Sequence, residues 1–470
     1  MQNLSLEKLA ALIHGRIVLE SYNNRIPLSV GRFSTTPPSS ITFLIKPFEY
    51  EQALLTQFKN HDVRCVIVKA PNILTLEKWK KANISVIEVE NLSESYKALV
   101  IFYRGQFFIP FIQVIGSSGK TTTKEMIGAV LNEKFPTLTT IQNMNSPLGV
   151  AKNLFRLNKT HRVAVLEAGM KAPGVIRKSS RLIKPDIGVV TSIHSAHLAR
   201  FGSIQKIIDA KAEILEFLSK KGTLIINWDD ENCHKFPLET YKGSLIRFGF
   251  SEHCDLWASD IQRHGFRTNF IVNTRYFEFP CAINIIGRYN VGNALAAVAV
   301  GLIVGLSPME ISQGLEKFKP MDGRLKVYYK SNGAVIIDDN FNANPDSTRM
   351  LIDELIIMSH ETPVVLVIGD MERPSQDIER YARTVHFNIG RQLAQGNFIH
   401  VLAVGFWAIE YVTGAIHYGF PRKKITHYRT VDEAESAFAR LLTPGTTVVL
   451  KASPYTKLNR LYAKYSHLLY

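Results

Sequence analysis

The sequence predicts an α/β protein of three domains, with a central domain built around a parallel sheet and a Rossmann-like domain towards the C-terminus. Three observations carry that prediction. Short apolar runs recur along the chain, each closing on a polar residue or glycine and most followed by a stretch of helical periodicity. One of them, FIQVIG from Phe111, leads through a glycine- and hydroxyl-rich loop into the helical run KEMIGAVL. The pattern breaks at Lys317-Phe318-Lys319-Pro320-Met321-Asp322-Gly323, as a linker does.

In order, Leu4, Leu6, Leu9, Leu12 and Ile13 fall near helical spacing with Glu7 and Lys8 among them, so the N-terminus reads as a helix and not as a signal peptide. SITFLI, VRCVIV and ISVIEV then alternate with helix-like stretches at Glu51 to Phe58 and Leu76 to Lys81, which predicts a small α/β domain over residues 1–106. Residues 107–319 carry FIQVIG, VAVLE, DIGVVTSI and GTLIIN, the rhythm of a parallel sheet. Asn293 to Leu306 is a buried helix, too short to cross a bilayer. Beyond the linker, AVIIDD, VVLVIGD, IHVLAVG and TVVLKAS predict a third α/β domain over residues 320–470. The tail KLNRLYAKYSHLLY reads as a solvated helix with an aromatic inner face.

Composition narrows the function. At 470 residues with 46% hydrophobic and 21% charged residues, the chain is neither disordered nor fibrous. Four dispersed cysteines, Cys65, Cys233, Cys254 and Cys281, form no secreted-type framework, so a reducing cytoplasm is expected. The net charge of +15 is scattered and comes without an RNA-binding or zinc-finger signature, which favours phosphate-bearing small molecules over nucleic acid. Cys233-His234 and His253-Cys254 lack zinc-ligand spacing, and no zinc is assigned.

The chemistry concentrates at Gly116-Ser117-Ser118-Gly119-Lys120-Thr121-Thr122-Thr123. Glycines let the backbone turn so that its N–H groups and the helix N-terminus face an anion, while Lys120 supplies charge and Thr121 a hydroxyl for Mg²⁺. This predicts a nucleotide triphosphate loop, one glycine short of the usual pattern because Val114 stands at its first position. Ligands collect beyond the carboxyl ends of parallel strands, which directs attention to Glu167 after VAVL, to His194 and His197 after DIGVVTSI, and to Asp338 and Asp339 after AVII. Lys211 falls on the apolar stripe of Ile204, Ile207, Ile208, Ile214, Leu215 and Leu218. Snorkelling is the commoner fate of such a lysine; the alternative is that something inside uses it.

GSSGKTTTKEM, LEAGM, SAHLARFGS, DAKAEI, GRYNVGNALAA, MDGR and IDDNFNANPDS, in this order, resemble the Mur ligase family, most of all its branch that adds D-alanyl-D-alanine to UDP-N-acetylmuramoyl-tripeptide. The resemblance spans about residues 110 to 350 and continues faintly through Gly369-Asp370-Met371 and His386. It implies a cytoplasmic, ADP-forming ligase that joins an acid to an amine through an acyl phosphate in cell-wall precursor synthesis, with ATP and two Mg²⁺. It implies that Gly116, Ser117, Ser118, Gly119, Lys120 and Thr122 line the phosphates and that Thr121 and Glu167 hold one Mg²⁺. A carbamylated Lys211, with Glu167 and His197, would hold the second. By the same resemblance Asn290 and Asn293 contact adenine, and Arg324, Asp338 and Asp339 reach the phosphates and ribose. Asn342, Asn344, Lys451 and Ser453 would face substrate in a C-terminal domain that binds the incoming amine.

The chain departs from that family at several places. The first domain reads VGRFSTTPPSSITFLIKPFEYEQALL where elements resembling D-S-R and D-G-H are usual, and Tyr289 and Phe341 replace a histidine and a tyrosine. Gly369-Asp370-Met371-Glu372-Arg373-Pro374 and Lys451-Ala452-Ser453-Pro454 replace G-D-M-x-E-L-G and K-G-S-R. Two readings beside the peptidoglycan one follow: a ligase for another acid and amine, and a noncatalytic nucleotide-binding regulator. Retention of Lys120, Glu167, His197 and Lys211 argues against the regulator.

Overall fold

The computed structural model describes residues 3–22, 24–32, 39–44, 58, 60–71, 73–194, 198–371 and 378–463. Three main sheets follow one another along the chain, and a two-stranded pairing lies at the N-terminus. The first has five strands in the order Arg16–Leu19, Ser85–Glu88, Cys65–Val68, Ile41–Phe43, Val30–Arg32, all parallel except the Arg16–Leu19 edge. The expected N-terminal helix is Leu6–Leu12, capped by the Ser5 hydroxyl. Leu76 to Lys81 lies within the helix Ile73–Lys81, whereas residues 51–57 of the helix predicted at Glu51 to Phe58 lie outside the described residues.

The central sheet has nine strands, and Phe111–Ile115 lies between Ile187–Val190 and Val163–Glu167 with parallel pairing on both sides. All three are buried along their whole length, because helices cover both faces; this is why they read as continuous apolar runs. The sheet extends through Thr223–Asn227 and Ser244–Gly249 to Leu256–His264, Arg267–Thr274 and Glu278–Ile283, whose last two pairings are antiparallel. Thr223–Asn227 is the predicted run GTLIIN; the four strands beyond it were not foreseen in the sequence. The buried helix runs Arg288–Val304 and ends at Gly305 in a left-handed conformation.

The third sheet has six strands in the order Lys326–Tyr329, Val335–Asp339, Thr447–Lys451, Val364–Gly369, His400–Val404, Ile425–Tyr428. The four predicted runs form its middle, and the two edges were not predicted. All pairings are parallel except that of Lys326–Tyr329 with Val335–Asp339. Among the described residues no helix is long and apolar enough to cross a membrane.

Candidate active site

The phosphate loop begins where Phe111–Ile115 ends and passes directly into the helix Lys120–Leu131. Gly119 occupies the N-cap at φ +80°, and a β-carbon there would lie 2.4 Å from Asn293 Oδ1, so the position requires glycine on two counts. The neighbouring strand end holds the loop in place. Ser117 N–H donates to the Ser192 carbonyl at 2.8 Å, Ser118 N–H to Ser192 Oγ at 2.9 Å, and the Thr191 hydroxyl to the Ser118 carbonyl at 2.5 Å. Lys120 Nζ lies over the loop, donating to the Gly116 and Ser117 carbonyls at 2.9 and 3.1 Å. The helix N-terminus thus presents aligned N–H dipoles and an ammonium to one small volume, the arrangement that binds polyphosphate.

One helical step on, Thr121 Oγ1 donates to Glu167 Oε2 at 2.9 Å, and Asn145 Nδ2 donates to Glu167 Oε1 at 2.7 Å. Glu167 is 1% exposed, so both its oxygens are held by neutral donors in a dry setting. Asn145 was not singled out in the sequence, where it sits in a polar loop with no periodic signal.

Lys211, on the helix Ile204–Ala212, is 1% exposed and does not snorkel. Its stripe packs into the cluster of Ile115, Val190, Ile208 and Ile214, which leaves the side chain no route to water. Desolvation first, and then the field of Lys120, pushes its ammonium well below the ordinary lysine range, while Cys233 and Asp230 act in the opposite direction. Asp230, also missed in the sequence, accepts Ile193 N–H at 2.6 Å and lies 3.5 Å from His194 Nδ1. His197 lies outside the described residues.

Asn290 and Asn293 turn inward. Asn293 Oδ1 accepts the Thr123 hydroxyl at 3.1 Å, its Nδ2 donates to Asn290 Oδ1 at 3.0 Å, and Asn290 Nδ2 donates to the Ile286 carbonyl at 2.7 Å. The pair therefore ties the helix Arg288–Val304 to the phosphate-loop helix. Thr122 is partly buried on that helix, and Ser118 Oγ is buried without a partner among the described residues.

From the third domain, Arg324 stacks its guanidinium 4.2 Å over the Phe341 ring, within reach of the fields of Asp339 and Glu167. Its Nε is buried with no hydrogen-bond partner among the described residues. Asp338 accepts Gly323 N–H and the Tyr462 hydroxyl on Oδ2, at 3.1 and 2.6 Å. Asp339 takes Lys451 Nζ at 2.6 Å, and Lys451 also donates to the Asn342 carbonyl at 2.9 Å. Asn344 caps the helix Pro345–Glu361 in a reciprocal box with Ser347, and Ser453 is buried with its N–H on the Asp370 carbonyl. Of these four expected substrate-facing residues, Lys451 and Asn344 have side chains already engaged within the domain.

Comparison with known proteins matches two family models, the Mur ligase middle domain over residues 114–301 and the Mur ligase, glutamate ligase domain over residues 323–454. The UDP-N-acetylmuramoyl-tripeptide--D-alanyl-D-alanine ligase of Bacillus subtilis (strain 168) is 30% identical over 382 residues, 81% of this chain and 80% of that protein. The chain belongs to the Mur ligase family. The equally named protein of Buchnera aphidicola subsp. Baizongia pistaciae is 29% identical over 98% of this chain and 97% of its own length. The structure of MurF from Acinetobacter baumannii superposes with a TM-score of 0.85 at 27% identity, covering 99% of each chain. As a Mur ligase, this chain forms carbon–nitrogen bonds at the expense of ATP.

Proposed function

We propose that this Mur ligase joins D-alanyl-D-alanine to UDP-N-acetylmuramoyl-tripeptide, as its named relatives do. The likeness to MurF over 99% of the chain carries the reading, because it takes in the first domain, where the usual sugar-binding elements are not found. On this reading residues 1–106 take the nucleotide sugar, 107–319 take ATP, and 320–470 take the dipeptide.

A carboxylate is a poor electrophile, so the γ-phosphoryl group of ATP passes to it, and the dipeptide amine then displaces phosphate. The N-terminus of the helix Lys120–Leu131 and the Lys120 ammonium hold the β- and γ-phosphates in line with the acid. Arg324, with a buried N–H awaiting an acceptor and Phe341 fixing its plane, closes on the transferring group from the third domain. Asp338 and Asp339 stay at the inner edge of that domain, where Asp339 is balanced by Lys451.

The Thr121 hydroxyl and Glu167 carboxylate, both buried, are the hard oxygen donors that suit Mg²⁺. When bound, Mg²⁺ neutralises the charge of the phosphates during transfer. Lys211 is the group on which a second site would depend. Burial lowers its pKa and so favours the neutral amine, the form that adds carbon dioxide with loss of a proton; the resulting carbamate would supply oxygens to that site, with Glu167 and His197 as its fellow ligands by the family resemblance.

The test is phosphate release from ATP and Mg²⁺ in the presence of UDP-N-acetylmuramoyl-tripeptide and D-alanyl-D-alanine. Release that needs both substrates is expected; no release, with turnover of a different acid and amine, moves the chain to the second ligase reading. Lys211→Ala is expected to lose activity and to regain part of it with short carboxylic acids, and full activity in that variant removes the carbamate.

A further inference from the structure

The phosphate-loop helix carries a second lysine that the catalytic scheme does not use. Lys124 lies one turn beyond Lys120 and its side chain is 0% exposed. In the fold its ammonium donates to Glu125 Oε1 at 2.5 Å and to the Thr140 carbonyl at 2.7 Å. A methionine would fill the same space without the cost of taking a charge out of water, so the hydrogen bonds are what this lysine contributes there.

The acceptor locates its purpose. Thr140 follows the strand Thr137–Thr139, and its hydroxyl accepts the backbone N–H of Glu167 at 2.9 Å. Glu167 in turn accepts the hydroxyl of Thr121 at 2.9 Å, and Thr121 lies three residues before Lys124 on the same helix. The contacts therefore close a circuit: Lys124 to Thr140, Thr140 to Glu167, Glu167 to Thr121, and back along the helix. Apart from Glu125 at its margin, every member is buried.

We infer that Lys124 is a positioning residue for the cation site, fixing through Thr140 the separation of the Glu167 carboxylate from the Thr121 hydroxyl. The inference rests on the proposed Mg²⁺–nucleotide site. Partners that orient a metal ligand without touching the metal change metal affinity by about 10- to 100-fold when removed. Lys124 makes no contact with phosphate in this scheme, so its loss acts on Mg²⁺ and not on the nucleotide.

The experiment titrates Mg²⁺ into the full-length protein with a fluorescent ADP analogue and compares the wild type with Lys124→Met, Thr140→Val and Thr140→Ser. The expected result is a half-saturating Mg²⁺ concentration raised by about tenfold or more in the first two. Analogue affinity without Mg²⁺ stays near wild type, and Thr140→Ser, which keeps the hydroxyl, titrates like the parent. The double variant Lys124→Met/Thr140→Val shifts no further than the larger single change, because both break one circuit. Thr140→Val is nearly isosteric and carries the test if Lys124→Met fails to fold. A wild-type Mg²⁺ titration in either folded variant overturns the inference. A parent protein whose ADP binding ignores Mg²⁺ instead removes the site on which it rests.

Discussion

Lys211 shows how a single side chain trades stability for chemistry. Its ammonium is disfavoured in the fold, so the unfolded chain binds the extra proton, and the stability of the unmodified protein rises with pH through the window between the lowered pKa and the ordinary lysine range. Lys211→Met removes both the group and the slope. In buffer freed of carbon dioxide the variant is expected to melt above the parent at neutral pH, with the gap closing towards alkaline pH. Its turnover is expected to fall by roughly a hundredfold or more, as when a preorganised charge-stabilising group is lost. A variant that melts below the parent at neutral pH would show that burying the ammonium carries no net cost in this fold.

At the scale of elements, His386 connects a loop to a helix. Its Nδ1–H donates to the Ala382 carbonyl at 2.7 Å, which leaves Nε2 to accept Met371 N–H at 3.2 Å. The end of Val364–Gly369 is thereby tied to the helix Ile378–Leu393. Burial drives the imidazole down from 6.5 to about 4. The folded pKa is the depressed one, so the contribution is complete above pH 6.5 and is lost as pH falls towards 4, on the order of 3 kcal/mol over the window. His386→Gln is expected to flatten the acid limb of a pH–stability profile measured by urea unfolding; an unchanged limb would assign that loss to carboxylates instead.

The elements also show what the sequence makes legible. Strands covered on both faces announce themselves as unbroken apolar runs, and the polar residue that ends each one marks the ligand side. Leu256–His264 alternates buried and open residues and carries Asp260, Arg263 and His264, so its signal is the weak one of a half-covered strand. Glycine and lysine spacing identified the phosphate loop. The sequence could not show that Asn145, Thr140 and Lys124 converge on Glu167, because their contacts span chain separations that no local period encodes.

For the molecule as a whole, the three domains meet by different means. The first is pinned to the second by Arg104, whose guanidinium lies 3.7 Å over Phe111 and donates to the Ile183 and Lys184 carbonyls at 2.7 and 3.0 Å. The third meets the second through Arg263–Glu361, through Arg288 N–H on Glu354 Oε1 at 3.1 Å, and through the linker itself. In the linker, Gly323 stands at φ +72°, and a β-carbon on it would meet Phe341 Cβ at 2.8 Å and Phe341 N at 2.9 Å. Gly323 also accepts Phe341 N–H and donates to Asp338, so the next residue, Arg324, is set over Phe341 and towards Glu167. Gly323→Ala strains the backbone and forces the linker off Phe341, which displaces Arg324 while the phosphate loop, wholly within the second domain, keeps its shape. Displacing a transition-state group by about an ångström costs up to about a hundredfold in rate, so kcat is expected to fall by roughly ten- to a hundredfold with ADP affinity little changed. Small-angle scattering of the nucleotide complex is expected to show a larger radius of gyration than the parent. A variant with parental kcat and scattering would mean that the linker does not set the approach of the third domain.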